Sequence, residues 1–280
     1  FAHGSNSVTV IEPPSRGALP RTGHEKPWPG IMPMSHNHRN SPLGVCKSLI
    51  IADERKITGD EFGGKMFPWY VKDGSKHQHK SYAELAGEHL AQGVLRGTPV
   101  NVETIPVVDR EGISRLFSSS TIVLLAMEVY HPRLFAEVNA VALRARKPVM
   151  YSFVDGSIAF VGPLMIPGET SCYVCLESLL ESNILSQSTF QSVKSYVEGV
   201  EENGSDSRIG GMPPLHDVMA GFLVDAIVRY LFQASSVPFL DRMLCIDFDT
   251  LEMKVEDILK NPACPACSDL ESPQTAPIIR

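Results

Sequence analysis

Two Cys-x-x-Cys pairs, Cys172/Cys175 and Cys264/Cys267, constrain this chain more than any other feature. A two-residue spacer lets one tight turn aim both sulfurs at a single point, and two such knuckles supply the four thiolates of a tetrahedral Zn²⁺ site. About ninety residues separate the pairs, far more than the spacer of a self-contained zinc finger. The metal is therefore expected to pin a C-terminal segment onto a turn in the middle of the fold. Four unrelated thiols or two local disulfides are the alternatives. A Cys-x-x-Cys disulfide is strained and normally redox-active, so the pattern favours structural zinc on Cys172, Cys175, Cys264 and Cys267.

What surrounds the first pair sharpens this reading. An apolar, strand-like run from Ser157 to Ile166 meets Pro167-Gly168, which forces a turn, and the cysteines follow at once. The second pair also follows a proline, Pro262. Cys46 and Cys245 lie in apolar runs and read as packed thiols. Thiols used this way fit a reducing compartment, the cytoplasm, better than a secreted disulfide scaffold.

A chain of 280 residues makes one large domain or two small ones, and 43% hydrophobic content with 20% charge suits a real core. A net charge of −7 without a basic stripe argues against a nucleic-acid partner. No apolar run approaches the ~18 residues that cross a bilayer, and no signal peptide opens the chain. It begins Phe-Ala-His-Gly-Ser, which reads as a cloning remnant or a truncated start.

Residues 1–44 form a Pro/Gly-rich segment with one strand-like run, Ser7 to Ile11. Its repeated prolines rule out a long helix. His36 and His38 read as loop residues, and His77 and His79 as solvent-exposed ones. Ser48 to Ala52 is a continuous apolar strand, buried on both faces. Lys76 to Gly93 turns helical, with Tyr82, Leu85, Ala86, His89 and Leu90 at three- and four-residue steps. Strands at Val100 to Val108 and Ser120 to Met127, a helix near Arg133 to Ala145 and a strand at Pro148 to Val154 follow. This alternation predicts an α/β fold, a Rossmann-like, mostly parallel sheet flanked by helices.

Past the first knuckle, Glu177 to Ser188 reads as helix and Ser192 to Gly211 as a polar, acidic loop. Pro213-Pro214 opens the cleanest amphipathic stripe, Leu215, Val218, Met219, Phe222, Leu223, Ala226, Ile227, Tyr230 and Leu231, a core face or a dimer face. Strands Met243 to Phe248 and Leu251 to Val255, joined at Asp249-Thr250, deliver the chain to the second knuckle.

This order of parts, with Gly-Pro-Leu-Met-Ile-Pro-Gly-Glu-Thr-Ser-Cys-Tyr-Val-Cys at 162–175 and a terminal Cys-Pro-Ala-Cys, resembles the ThiF-type superfamily, the fold of ubiquitin-activating and MoeB-like adenylating proteins. Glu128-x-Tyr-His-Pro132 is similar to a segment of its divergent branch, which partners YcaO-type cyclodehydratases in making thiazolines and oxazolines on peptides. The resemblance covers about residues 45–270, leaving 271–280 as a tail, and it implies a homodimer.

In active members a glycine-rich loop after the first strand holds the ATP phosphates, an acid ending the second strand binds ribose, and a later aspartate handles magnesium. By this resemblance Asp53 takes the ribose position, Lys76 or Lys80 the lysine's, and Glu128 that of the metal-binding aspartate. No G-x-G-x-x-G precedes Ser48. Arg16-Gly-Ala-Leu-Pro-Arg-Thr-Gly23 is the nearest substitute, and its proline spoils the helix a phosphate site needs. ATP and Mg²⁺ are thus left without a phosphate loop. The resemblance implies a catalytically degenerate partner subunit that binds a ribosomally made precursor peptide, a YcaO-type enzyme, or both. The alternatives are an ATP-dependent adenylyltransferase acting on a peptide or protein C-terminal carboxylate, and a zinc-stabilised α/β protein of unrelated role. No nucleophile pairs with His131 in the sequence, so it is not assigned as a general base.

Overall fold

The structure is a computed structural model that describes residues 6–11, 48–53, 80–90, 101–105, 110–127, 130–183, 195, 213–232 and 236–270. Lys76, Glu128, Cys46, the histidines at 36, 38 and 77–79, the substitute loop at 16–23, the acidic stretch 196–211 and the tail 271–280 lie outside the described residues.

Alternating burial builds the centre of the molecule. In β2 (Ser48–Asp53), Leu49 and Ile51 face one apolar layer while Ile50 and Ala52 face the other, so the strand is covered on both sides as its continuous apolar run implies. The same alternation runs through β4 (Ile122–Met127) and β5 (Val149–Asp155). The first layer holds α2 (Arg110–Ser119), α3 (Pro132–Ala145), α4 (Tyr173–Asn183) and all four paired cysteines. The second holds α1 (Tyr82–His89) and α5 (Pro213–Leu231). Helices thus sandwich one sheet.

That sheet has eight strands in the order β3-β2-β1-β4-β5-β6-β7-β8, with β1 at Asn6–Ile11, β3 at Asn101–Ile105, β6 at Ile158–Met165, β7 at Arg242–Asp247 and β8 at Glu252–Asp257. The expectation of a mostly parallel sheet is corrected: it is mixed. Only β2·β3 and β4·β5 are parallel pairs, and the other pairings are antiparallel. A parallel pair requires a long crossover, whereas Asp155-Gly156-Ser157 turns β5 straight into β6, with Gly156 at φ +61. β1, from the Pro/Gly-rich N-terminal segment, lies between β2 and β4 and is antiparallel to both. That segment therefore supplies a central strand of the sheet.

The helices also differ in detail from the sequence pattern. α1 is shorter than the periodic stretch because Ser81 starts it with a capping box. The Glu84 amide donates to Ser81 Oγ at 3.1 Å, and the Ser81 amide donates to Glu84 Oε2 at 2.7 Å. Ser81 is buried, and its loss removes the hydrogen bond that the Glu84 amide donates to it. Ser81→Ala is expected to cost about 1 kcal/mol, read as a lower urea midpoint at unchanged slope. α2 is an addition to the sequence reading, although Ile113, Leu116 and Phe117 sit at its i, i+3 and i+4 positions and are buried. α4 begins at Tyr173, four residues before the expected start. On α5 the stripe is narrower than expected, since Val218 is 45% exposed while Leu215, Met219, Leu223, Ala226 and Ile227 are buried. Among the described residues, no helix is long and apolar enough to cross a membrane.

Candidate metal centre

β6 ends at Met165, and a tight turn then aims the chain at the first knuckle. The Ile166 amide donates to Thr170 Oγ1 at 2.7 Å, and the amides of Glu169 and Thr170 donate back to the Ile166 carbonyl at 3.0 and 3.1 Å. Gly168, at φ +89, permits the reversal. Two side chains from distant parts of the chain, the half-buried Asp241 and the buried Asn139, fix the next residues. The Ser171 amide donates to Asp241 Oδ1 at 2.7 Å, and the Tyr173 amide donates to Asn139 Oδ1 of α3 at 3.0 Å. Cys172 therefore sits just before α4 and Cys175 inside its first turn. The knuckle is a helix start, not a free turn.

The second knuckle follows β8 and is shaped by Asn261. Its side-chain oxygen accepts from the Ala263 amide at 2.9 Å, and its carbonyl accepts from the Cys264 amide at 3.0 Å. The Cys264 carbonyl accepts from Ser268 at 3.1 Å. Two contacts join the knuckles directly. The Asn261 amide donates to Cys175 Sγ at 3.4 Å, and Lys260 Nζ donates to the Gly168 carbonyl at 2.7 Å.

These turns gather four buried sulfurs that all lie within 4.8 Å of one another. Cys172 is 3.9 Å from Cys175 and 3.7 Å from Cys264, and Cys175 is 3.6 Å from Cys267. A Zn–S bond of about 2.3 Å in a tetrahedron places sulfurs roughly 3.8 Å apart. A disulfide requires about 2.05 Å, so neither pair is bridged. The donor set fits a tetrahedral, thiolate-loving cation. As neutral thiols, two of the four resist ionising: burial pushes Cys172 up to about 12 and raises Cys267 as well. Burial acts the same way on Cys264, but the amides of Ala266 and Cys267 outweigh it and bring that thiol below its ordinary value. A bound cation holds all four as thiolates by expelling their protons.

An aromatic cluster backs the first knuckle. Phe135 lies 5.3–5.6 Å, centroid to centroid, from Tyr151, Tyr130, Phe153 and Tyr173. Tyr130 and Tyr173 share a hydroxyl–hydroxyl bond of 2.5 Å, and Tyr173 donates to Glu177 Oε1 at 3.2 Å. Tyr130 is thus tied to α4, and not only to its own strand end as local hydrogen bonding implies. Pro132 opens α3, and His131 is its buried N-cap without a side-chain capping bond. Tyr151 Oη and Ser171 Oγ are buried and have no hydrogen-bond partner among the described residues.

Of the nucleotide-site candidates, Asp53 lies at the C-terminal end of β2 and is buried beside Ser7 of β1. Lys80 is engaged by Glu88, whose two oxygens each accept from Nζ at 2.7 Å. A cleft of about 340 Å³ between α2 and α3, lined in part by Arg110, Arg133, Arg144, Glu137 and Glu177, has no forerunner in the sequence reading. Its side chains come from three helices, and no local pattern joins them.

No protein-family model matches this chain. It is 32% identical over 103 residues to ubiquitin-like modifier-activating enzyme 5 of Oryza sativa subsp. japonica, a stretch that is 36% of this chain and 22% of that protein. Among solved structures it is similar to E. coli MccB with MccA-N7isoASN, with TM-score 0.61, 20% identity, and coverage of 83% of this chain and 64% of MccB. E. coli MccB with ATP gives TM-score 0.59 and 18% identity, covering 81% of this chain and 60% of MccB. The microcin C7 biosynthetic enzyme MccB in complex with N-formylated MccA gives 0.60 and 17%, covering 81% and 62%. The chain thus has the fold of MccB, while spanning about a fifth of the curated relative and under two thirds of MccB.

Proposed function

We propose that this chain is a ThiF-like subunit that binds a ribosomally made precursor peptide and serves a YcaO-type cyclodehydratase. It leaves ATP chemistry to that partner and carries one structural Zn²⁺ on Cys172, Cys175, Cys264 and Cys267, in a reducing cytoplasm. The direction of β1 carries this reading. In a nucleotide-binding sheet of this kind the first strand runs with its neighbours and delivers a glycine-rich loop to the crevice at their C-terminal ends. Here β1 starts at that edge, with Ser7 beside Asp53 and Asn6 beside Met127. It ends at the opposite edge, with Ile11 beside Leu49 and Ile122. β1 therefore ends at the wrong edge of the sheet for a phosphate loop, and the sequence has no G-x-G-x-x-G. MccB, whose fold this is, is known with the peptide MccA and with ATP. We carry over the peptide and not the nucleotide.

A second reading is an adenylyltransferase acting on a peptide or protein C-terminal carboxylate with ATP and Mg²⁺. Asp53 favours it, because a buried acid closes β2 where the ribose ligand belongs. Lys76, Lys80 and Glu128 would have to complete the site, and Lys80 would first have to leave Glu88.

Calorimetric titration separates the two readings. With Mg·ATP, at concentrations that detect a Kd of about 100 µM (~5.5 kcal/mol), no binding heat is expected. A ribosomally made precursor peptide is expected to bind one-to-one. Stoichiometric ATP binding overturns the first reading and supports the second.

A further inference from the structure

Four thiolates on one divalent cation leave a net negative charge in a buried cluster, and buried charge is tolerated only where hydrogen-bond donors meet it. The backbone supplies some of them. The Asn261 amide donates to Cys175 Sγ at 3.4 Å, and the amides of Ala266 and Cys267 reach Cys264. Cys172 receives the Cys175 amide, yet burial still pushes its thiol up to about 12. That sulfur calls for a further donor.

Two buried hydroxyls beside the first knuckle, Tyr151 Oη and Ser171 Oγ, have no hydrogen-bond partner among the described residues. Tyr151 stands on β5 in the layer that holds the cysteines. The β5–β6 register shifts across it, between Met150 and Ser152, the kind of irregularity that re-aims a side chain. Its ring stacks on Phe135 at 5.3 Å and lies 6.1 Å from the ring of Tyr173, the neighbour of Cys172. Burial pushes the Tyr151 hydroxyl well above its ordinary value, and charge on Cys172 adds to this. The group therefore stays a proton donor and lies within the field of that sulfur. A phenylalanine would fill the same space without burying an unpaired hydroxyl, which costs free energy. The oxygen calls for an acceptor.

We propose that Tyr151 is a positioning residue of the metal centre, its O–H donating to Cys172 Sγ once metal binding has made that sulfur a thiolate. The proposal rests on the zinc assignment and adds to it a residue outside the four ligands. A neutral thiol is a weak acceptor, whereas a thiolate takes a strong, charge-assisted bond, so the contact belongs to the metal-bound protein. The Tyr151 proton stays on its oxygen throughout. A serine hydroxyl swings about χ1, while the aromatic stack fixes that of Tyr151, so the role falls to the tyrosine and not to Ser171.

Tyr151→Phe tests this by competition with a chromogenic zinc chelator, with urea unfolding of zinc-loaded and chelator-stripped protein beside it. The variant is expected to hold zinc about tenfold more weakly, the lower end of what hydrogen-bond partners of metal ligands contribute. Its stripped form is expected to be no less stable than stripped unaltered protein, because the unpaired hydroxyl is gone. A tyrosine that only fills space would weaken both forms alike. In cobalt-substituted protein the lost hydrogen bond raises the sulfur lone pairs in energy, and the thiolate-to-metal charge-transfer band moves to longer wavelength. A variant that holds zinc as tightly as the unaltered chain, or that loses stability equally in both forms, overturns the proposal and leaves the metal assignment standing. Unaltered protein that binds no zinc overturns both.

Discussion

Cys264→Ser protein is expected to emerge with well under one metal ion per chain and a lower, broader thermal transition. The substitution removes one of four buried ligands and leaves three thiols crowded within 4.8 Å. It also frees the segment that the metal would hold against the first knuckle, which Lys260 to Gly168 and Asn261 to Cys175 also tie to it. Structural zinc is worth ~10–16 kcal/mol in small fingers that cannot fold without it. This domain has its own two-layer core, so a loss on the order of 5 kcal/mol is expected. Strong chelator should lower the transition of the unaltered protein in the same way and leave that of Cys264→Ser unmoved.

The pH dependence of the metal follows from the thiols. Burial holds Cys172 near 12 and Cys267 above its ordinary value, so both carry protons at neutral pH until a cation displaces them. Binding therefore releases protons, and affinity weakens as pH falls. Chelator competition at pH 6 is expected to strip the ion faster and at lower chelator than at pH 8. Fresh protein with far less than one zinc per chain, and a transition indifferent to chelator, would sink the metal assignment.

Phe135→Ala is the second large effect. The ring is fully buried at the centre of Tyr130, Tyr151, Phe153 and Tyr173, and no water reaches it. Truncation opens a cavity between α3, β5 and α4 and loosens the stack that backs the first knuckle. The expected cost is about 3–5 kcal/mol, or roughly 10 °C in Tm for a chain of this size. Leu259→Ala makes the contrast. Leu259 is as apolar but 74% exposed, so its loss is expected to stay within about 0.5 kcal/mol. A Phe135→Ala variant as stable as Leu259→Ala would mean that the aromatic cluster is dispensable.

Much of the fold was legible in the sequence because it is written locally. The apolar alternation of β2, β4 and β5 and the stripe on α5 are periodicities of two and 3.6, imposed by backbone geometry on whichever residues face the core. The Cys-x-x-Cys spacing is local as well, which is why the four cysteines of the cluster could be singled out from the chain alone. The spacing of Ile113, Leu116 and Phe117 marks α2 in the same local way, although it is a short helix between two strands.

Tertiary structure decided what periodicity does not encode. Alternation states that Ser7 to Ile11 is a strand but not which way it runs, since an extended chain buries the same faces in either direction. Only its pairing with both β2 and β4 reveals the reversal that carries the functional reading. The early start of α4 likewise depends on Asn139 and Asp241, which grip amides 34 and 70 residues away in sequence. Four thiols separated by ninety residues became one cluster for the same reason. Each knuckle is shaped by its own turn, but their meeting is set by where the sheet delivers the ends of β6 and β8.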